Sequence, residues 1–333
     1  MAPQNLQNSL LRPSRADTEV PFPFRLRTTT TPETTTMTIN YQQLKARPFA
    51  PVHQDYSQRD TMLYALSLGV GNDPLDTRNL PLVYEGMAQP LQALPTMSSV
   101  LGYPGFWAKE ADTGIDWVKL VHGEQRTTIH QPLPVGAKVV GKTKVTRVID
   151  KGAGKGAIVV SERSLEGEDG TLYATLEQVT FCRGDGGYSE ALGGQPSDDS
   201  LPALAPTPDT APRWTYTHTI RPEAALLYRL MGDYNPLHAD PQVAQAAGFD
   251  KPILHGLATY GMVCHALVMT ACNGDASLLR SMHARFSSPV FPGETLRTEV
   301  WQAGDALQFR ALVVERGIVV LSHGNASLAP AQP

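Results

Sequence analysis

Cysteine is scarce in this chain. Three residues in 333, Cys182, Cys264 and Cys272, give neither a paired framework nor a metal-ligand spacing, so a disulfide scaffold is excluded and a reducing compartment is indicated. They read as small buried apolar side chains. An excess of one charge is also missing: 28 basic and 32 acidic residues leave a net charge of −4, and the basic residues are scattered. That argues against a nucleic-acid footprint and leaves small molecules or proteins as partners. No apolar run approaches the roughly 20 residues that span a bilayer, so no membrane helix is expected. The chain ends in Ala-Gln-Pro where a peroxisomal address would read Ser-Lys-Leu, and a cytoplasmic location is the simplest expectation. What remains, 41% hydrophobic and 18% charged residues over a length sufficient for two domains, is ordinary globular composition.

Composition marks four segments. Residues 1–40 are rich in Pro and Thr without apolar periodicity, so a disordered N-terminal extension is expected. Arg12, Arg15, Arg25 and Arg27 suit a transit peptide, Asp17, Glu19 and Glu33 oppose one, and Met37 offers a second start. Residues 184–212 turn to Gly, Pro, Ser and Asp and read as a linker. On either side the same order of elements recurs, which points to duplication into an N-terminal repeat over 41–183 and a C-terminal repeat over 213–330. Alternation predicts strands over Lys138 to Ile149, Ala157 to Leu165 and Thr171 to Phe181, then over Leu296 to Gln302, Leu307 to Val314 and Ile318 to Leu328. Each half also has an apolar segment long enough for a central helix, Leu91 to Leu101 and Leu257 to Ala271. A sheet curled round such a helix is an α+β unit. Gly152, Gly154 and Gly156 belong to a hairpin loop, because a strand follows them and no Lys-Ser pair closes a phosphate loop.

The stretch from Tyr228 to Asp240 concentrates an acid, an amide and an imidazole. Asp233 and His238 are five residues apart, an offset that on a continuous helix swings them roughly 140° round the axis. Asn235-Pro236 ends the helix predicted over Ala224 to Met231, and Gly232 permits unusual dihedrals, so a turn can bring carboxylate and imidazole to one volume. Paired acid/base work is the functional reading. The plainer alternative is a capping carboxylate and a packed histidine. Gly256 precedes the second apolar helix, where unsatisfied N–H groups and the missing side chain suit a developing oxyanion. In the N-terminal half, Tyr64 to Leu75 parallels the motif, but Asp76 stands where His238 does. If the pair is the chemical unit, only the C-terminal half is catalytic. Asp233, Asn235, His238 and Asp240 fail as a calcium loop, since Leu237, His238 and Ala244 occupy positions that need oxygen, glycine and glutamate. Zinc lacks paired His or Cys, and no Gly-x-Ser-x-Gly elbow occurs, so neither a metal nor a serine nucleophile is expected.

Leu230 to His238 together with Gly248 to Gly256 resembles the signature of the MaoC-like, (R)-specific enoyl-CoA hydratase 2 family, built on hot-dog folds. Val83 to Gly86, Val121 to Gln125, Asp150 to Gly152, Ala284 to Phe286 and Pro292-Gly293 extend the likeness to the hydratase 2 domain of the peroxisomal multifunctional type 2 enzymes. The resemblance implies a double hot dog in which the complete C-terminal repeat carries chemistry and a degenerate N-terminal repeat accommodates bulky acyl chains. By that resemblance Asp233 and His238 activate a water that adds to C3 of a trans-2-enoyl-CoA, in fatty acid or sterol side-chain metabolism. Asn235 helps place the water and the Gly256 amide stabilises the thioester oxygen. Glu124, His255 and Tyr228 are supporting residues, with Glu124 read as bracing the site or the interface between repeats. The resemblance also suits a homodimer without a cofactor. Pro95, Met97, Gly102 and Gly105 suggest room for a long or steroid-like acyl group. An acyl-CoA thioesterase on the same scaffold and a non-catalytic acyl-CoA-binding module are the competing readings.

Overall fold

Ten strands form one antiparallel sheet in the computed structural model, which describes residues 38–330. The extension expected over 1–40 lies outside the described residues apart from its last three. The first half supplies β1 (Val52–Tyr56), β2 (Leu120–Ile129), β3 (Ala137–Asp150), β4 (Ala157–Gly167) and β5 (Leu172–Cys182); the second supplies β6 (Trp214–Thr219), β7 (Leu279–Phe286), β8 (Thr295–Ala303), β9 (Ala306–Val313) and β10 (Ile318–Leu328). Their order is β1-β3-β4-β5-β2-β7-β10-β9-β8-β6. Read inward from each edge, the two halves have the same connectivity. They join where β2 pairs with β7, from Glu124 opposite Arg285 to Thr128 opposite Ser281.

Among the described residues six α-helices accompany this sheet: α1 (Tyr41–Lys45), α2 (Gln58–Ser67), α3 (Leu80–Val83), α4 (Ala224–Tyr228), α5 (Pro241–Ala246) and α6 (Gly256–Thr270). In α6 every residue from Ala258 to Met269 is buried. A helix apolar on all sides has no solvent face to offer and becomes the core about which the sheet curls. At Gly261 an added Cβ would lie 2.8 Å from Leu68, so glycine lets the end of α2 close on the central helix.

The first half departs from its predicted counterpart. Instead of a continuous helix over Leu91 to Leu101, only a 3₁₀ turn forms, Pro95–Ser99, with all five residues buried. The buried Arg163 guanidinium donates to the carbonyls of Ser98 and Ser99, at 3.2 and 2.7 Å, taking acceptors that another helical turn would have used. Gly102 then turns to φ +59° and meets the backbone of Gly141. A side chain at either glycine would separate that segment from β3.

Residues 184–212 run across the sheet face opposite α6. The Asp198 carboxylate accepts from Val148 N, Tyr41 Oη and Lys45 Nζ at 2.7 to 3.0 Å. Farther on, Pro202 O takes Arg126, Ala205 O takes Asn325, Pro206 O takes Gln308 and Thr210 O takes Trp301. The segment is a strap tied to both halves by its own carbonyls, which answers where its backbone hydrogen bonds go. Among the described residues no helix is long and apolar enough to cross a membrane, and the three cysteines are buried and free.

Candidate active site

The acid/histidine motif begins where α4 gives way to a 3₁₀ turn, Arg229–Met231, and stops at Gly232 with φ +124°. That dihedral suits glycine and redirects the chain. Two successive side-chain turns follow. Asn235 N donates to Asp233 Oδ1 at 3.2 Å, and Leu237 N donates to Asn235 Oδ1 at 3.1 Å, starting the 3₁₀ turn Pro236–His238. Asn235 therefore uses its oxygen as a cap and keeps its amide nitrogen as a donor for a water.

His238 is buried, with Nδ1 2.9 Å from the carbonyl of Ile253. A carbonyl only accepts, so Nδ1 carries the proton and Nε2 presents a bare lone pair. The His255 ring stacks on it, centroids 3.7 Å apart and 27° from parallel, and His255 Nε2 donates to the backbone oxygen of Asp233 at 3.2 Å. Side-chain ligand atoms of Asp233, His238 and His255 all lie within 4.8 Å of one another. His255, singled out in the sequence as a supporting residue, thus sits in direct contact with the pair. Burial lowers the proton affinity of His238, opposed by the Ile253 carbonyl and the charge of Asp233. Burial, and then His238, bring His255 down to about 3. Both rings are neutral near pH 7. The distances alone would admit a metal ion, but two nearly parallel rings keep their lone pairs in nearly parallel planes, which do not converge on one centre.

Tyr228 is buried behind His255 at 5.0 Å between centroids, and its hydroxyl has no hydrogen-bond partner among the described residues. Gly256 opens α6 after His255, and a Cβ there would meet the Phe286 ring at 3.1 Å. As the first helical residue it has no carbonyl a turn behind it, so its N–H is free to face a ligand. Glu124 lies at the β2–β7 junction. Its carboxylate takes Arg126 at 2.6 Å and Arg285 at 2.8 Å, one guanidinium from each half.

The first half retains the turn without the chemistry. Leu75 N donates to Asp73 Oδ1 at 2.9 Å, the bond that Leu237 makes to Asn235. Gly71 stands where Asp233 does, and Asp76, at the position of His238, is held by Arg78 at 2.7 Å. Reading the sequence by motif missed another group near the site. His122 of β2 lies with its ring 4.6 Å from Phe286. Burial takes it down to about 4, while the charge of Asp233 pulls the other way. Tyr103 is pushed up to about 12, by burial first and then by Asp233, with the Arg163 guanidinium 5.5 Å from its ring. The signal for His122 was present in Val121 to Gln125, where Glu124 drew the attention.

Residues 54–184 match the MFE-2 hydratase 2 N-terminal domain family and residues 203–323 the MaoC like domain family. The peroxisomal enoyl-CoA hydratase 2 of Arabidopsis thaliana is 37% identical over 300 residues, covering 85% of this chain and 94% of that protein. The enoyl-CoA hydratase ChsH3 of Mycobacterium tuberculosis is 36% identical over 292 residues, covering 84% and 95%. A MaoC-like dehydratase from Phytophthora capsici superposes with a TM-score of 0.76 at 33% identity, over 88% of this chain and all (100%) of that one. With two units of like connectivity in one sheet and an acid/histidine turn in the second alone, the chain belongs to the MaoC-like enoyl-CoA hydratase 2 family, on a double hot-dog fold.

Proposed function

We propose that this protein is a hydro-lyase that reversibly hydrates trans-2-enoyl-CoA to (R)-3-hydroxyacyl-CoA, with Asp233 and His238 as the acid/base pair. The observation that carries the reading is the Asp233 carboxylate within 4.8 Å of a ring nitrogen of His238, a ring whose Nδ1 is engaged by Ile253 and whose Nε2 is therefore bare, beside the N-terminus of α6. A water between the two groups gives one proton to the base while its oxygen bonds to C3. The C2–C3 π electrons move toward the thioester, where the Gly256 N–H stabilises charge on oxygen. The protonated member of the pair then returns a proton to C2, so the sum is one water added. Asn235 shapes the turn that presents Asp233, His255 braces the His238 ring and the Asp233 backbone, and Tyr228 backs His255. The N-terminal repeat, lacking the pair, leaves its interior for the acyl chain.

Mixing the full chain with crotonyl-CoA or a longer enoyl-CoA should bleach the enoyl-thioester absorbance. Asp233→Asn and His238→Ala should each lower kcat by roughly a hundredfold or more. Near-wild-type turnover by either variant would remove the mechanism, and release of free thiol would identify a thioesterase instead. A homodimer in the cytoplasm is part of the same proposal; light scattering of the full chain reads the first, and imaging of a tagged chain the second.

A further inference from the structure

Taking a guanidinium out of water is costly, and proteins ordinarily offset that cost with a carboxylate or a bound anion. Arg163 of β4 departs from this pattern. It is 7% exposed, and among the described residues no carboxylate pairs with it. Its partners are the carbonyls of Ser98 and Ser99 and the ring of Tyr103, whose centre is 5.5 Å away. Burial lowers its pKa to about 10, so the cation persists at neutral pH. Holding two carbonyls of the 3₁₀ turn takes two N–H groups, and a neutral amide side chain has two. The positive charge is not needed for that bracing.

The groups around Arg163 are short of acceptors as well. Its Nε is buried without a hydrogen-bond partner among the described residues, and so are two neighbouring hydroxyls. One is Ser99 Oγ, on a residue whose carbonyl Arg163 holds. The other is Thr143 Oγ1, directly opposite Arg163 in the β3–β4 ladder and therefore on the same face of the sheet. That face looks into the first half, since Leu176, opposite Arg163 on β5, belongs to the core. In the second half α6 fills the corresponding interior with 15 residues, whereas the turn Pro95–Ser99 supplies 5. The accessible remainder of Arg163 and the partly exposed Tyr103 border the room that this leaves. Tyr103 also feels the charge of Asp233, which links the guanidinium to the acid of the catalytic pair.

Resting on the hydration reading and on the first half as holder of the acyl chain, we propose that Arg163 determines specificity: with Thr143 and Ser99 it receives a carboxylate at the far end of that chain, so that the substrate is the enoyl-CoA of a dicarboxylic acid. A carboxylate supplies the counter-charge and acceptors for all three unpartnered donors together. A chain ending in a methyl group leaves the cation stranded. A ketone or hydroxyl offers acceptors without charge and so meets half of the requirement.

The test is steady-state hydration by the full chain of trans-2-enoyl-CoAs that end in a methyl group or a carboxylate, matched in length and taken from medium to long chains. At one or more lengths the carboxylate-ended member should have a kcat/KM roughly tenfold or more above its methyl-ended match. Arg163→Gln, which keeps two donors for Ser98 and Ser99, should erase that preference. Thr143→Asp, which sets a counter-ion opposite the guanidinium, should erase it too, and decides the matter should Arg163→Gln fail to fold. A wild type that favours the methyl-ended chain at every length would overturn the proposal, as would a carboxylate preference that survives these substitutions, which would leave Arg163 as a brace of the 3₁₀ turn. Both of those outcomes leave the wild type active as a hydratase. A wild-type chain that leaves every enoyl-CoA unchanged, crotonyl-CoA included, would overturn the hydration reading itself, and this inference with it.

Discussion

The environment of His238 sets its chemistry more than its identity does. An exposed histidine titrates near 6.5. Burial moves His238 below that value, and the Ile253 carbonyl and Asp233 limit the shift without reversing it. The stacked His255, itself down at about 3, adds no charge at neutral pH. The base form of His238 therefore persists to lower pH than in an ordinary histidine. A profile of kcat/KM for enoyl-CoA hydration should stay flat from pH 8 downward and lose activity only below about 6.5. An acid limb centred above that value would show that another group governs the protonation state. The neighbouring glycine is governed by space: with Phe286 at 3.1 Å from where its Cβ would sit, Gly256 admits the ring and the free N–H together.

Among the elements, the β3–β4 hairpin shows how one carboxylate ties a turn to a strap. Asp150 accepts from Gly152 N and Gly187 N through one oxygen and from Ser189 N and Ser189 Oγ through the other. Burial alone would raise its pKa, but the bonds from Ser189, Gly187 and Gly152 outweigh it and hold the carboxyl at about 2. With the folded value below the unfolded one, this stabilisation is complete above the usual aspartate range, near pH 4, and fades as pH falls toward 2. Asp150→Ala should lower stability by about 1–3 kcal/mol at pH 7 in a denaturant melt, and the difference from wild type should shrink in acid. The six meander strands and α6 were legible because alternation and an unbroken apolar run are local signals. The strands β1, β2, β6 and β7 were not. In β2, Glu124, Gln125, Arg126 and Thr127 are all buried, since the strap covers one face and α6 the other, so polar residues occupy positions that alternation assigns to apolar ones. Segment 91–101 was misread because its helical tendency yields to Arg163, a partner more than 60 residues away. The Asp233–His238 turn was legible from proline and glycine. His122 stands within the Val121 to Gln125 stretch, but the bulge at Gly123 that changes its facing has no local signature.

At the scale of the molecule, the halves are keyed by buried polar groups as well as by the shared sheet. Asn79 of the first half binds His265 Nε2 at 2.8 Å, and His265 Nδ1 meets His218 at 2.9 Å. Across the β2–β7 junction, Glu124 joins Arg126 of one half to Arg285 of the other. These two partners differ in how they bear its loss. Arg285 keeps 43% of its side chain exposed and can return to water, whereas Arg126 has 9% exposed and cannot. Removing the acid from such a pair costs about 3–5 kcal/mol through the stranded charge, more than the pair contributes over an apolar replacement. Glu124→Ala should therefore lower stability by about 3 kcal/mol while the folded fraction keeps kcat within about threefold of wild type. Pairing Glu124→Met with Arg126→Leu should recover most of the stability, because no charge is then stranded. The opposite pattern, an unchanged melt with kcat lost, would move Glu124 from bracing the junction to taking part in proton transfer. Bracing is the role its position favours, because both its oxygens are already engaged by guanidinium groups and neither is free to approach Asp233 or His238.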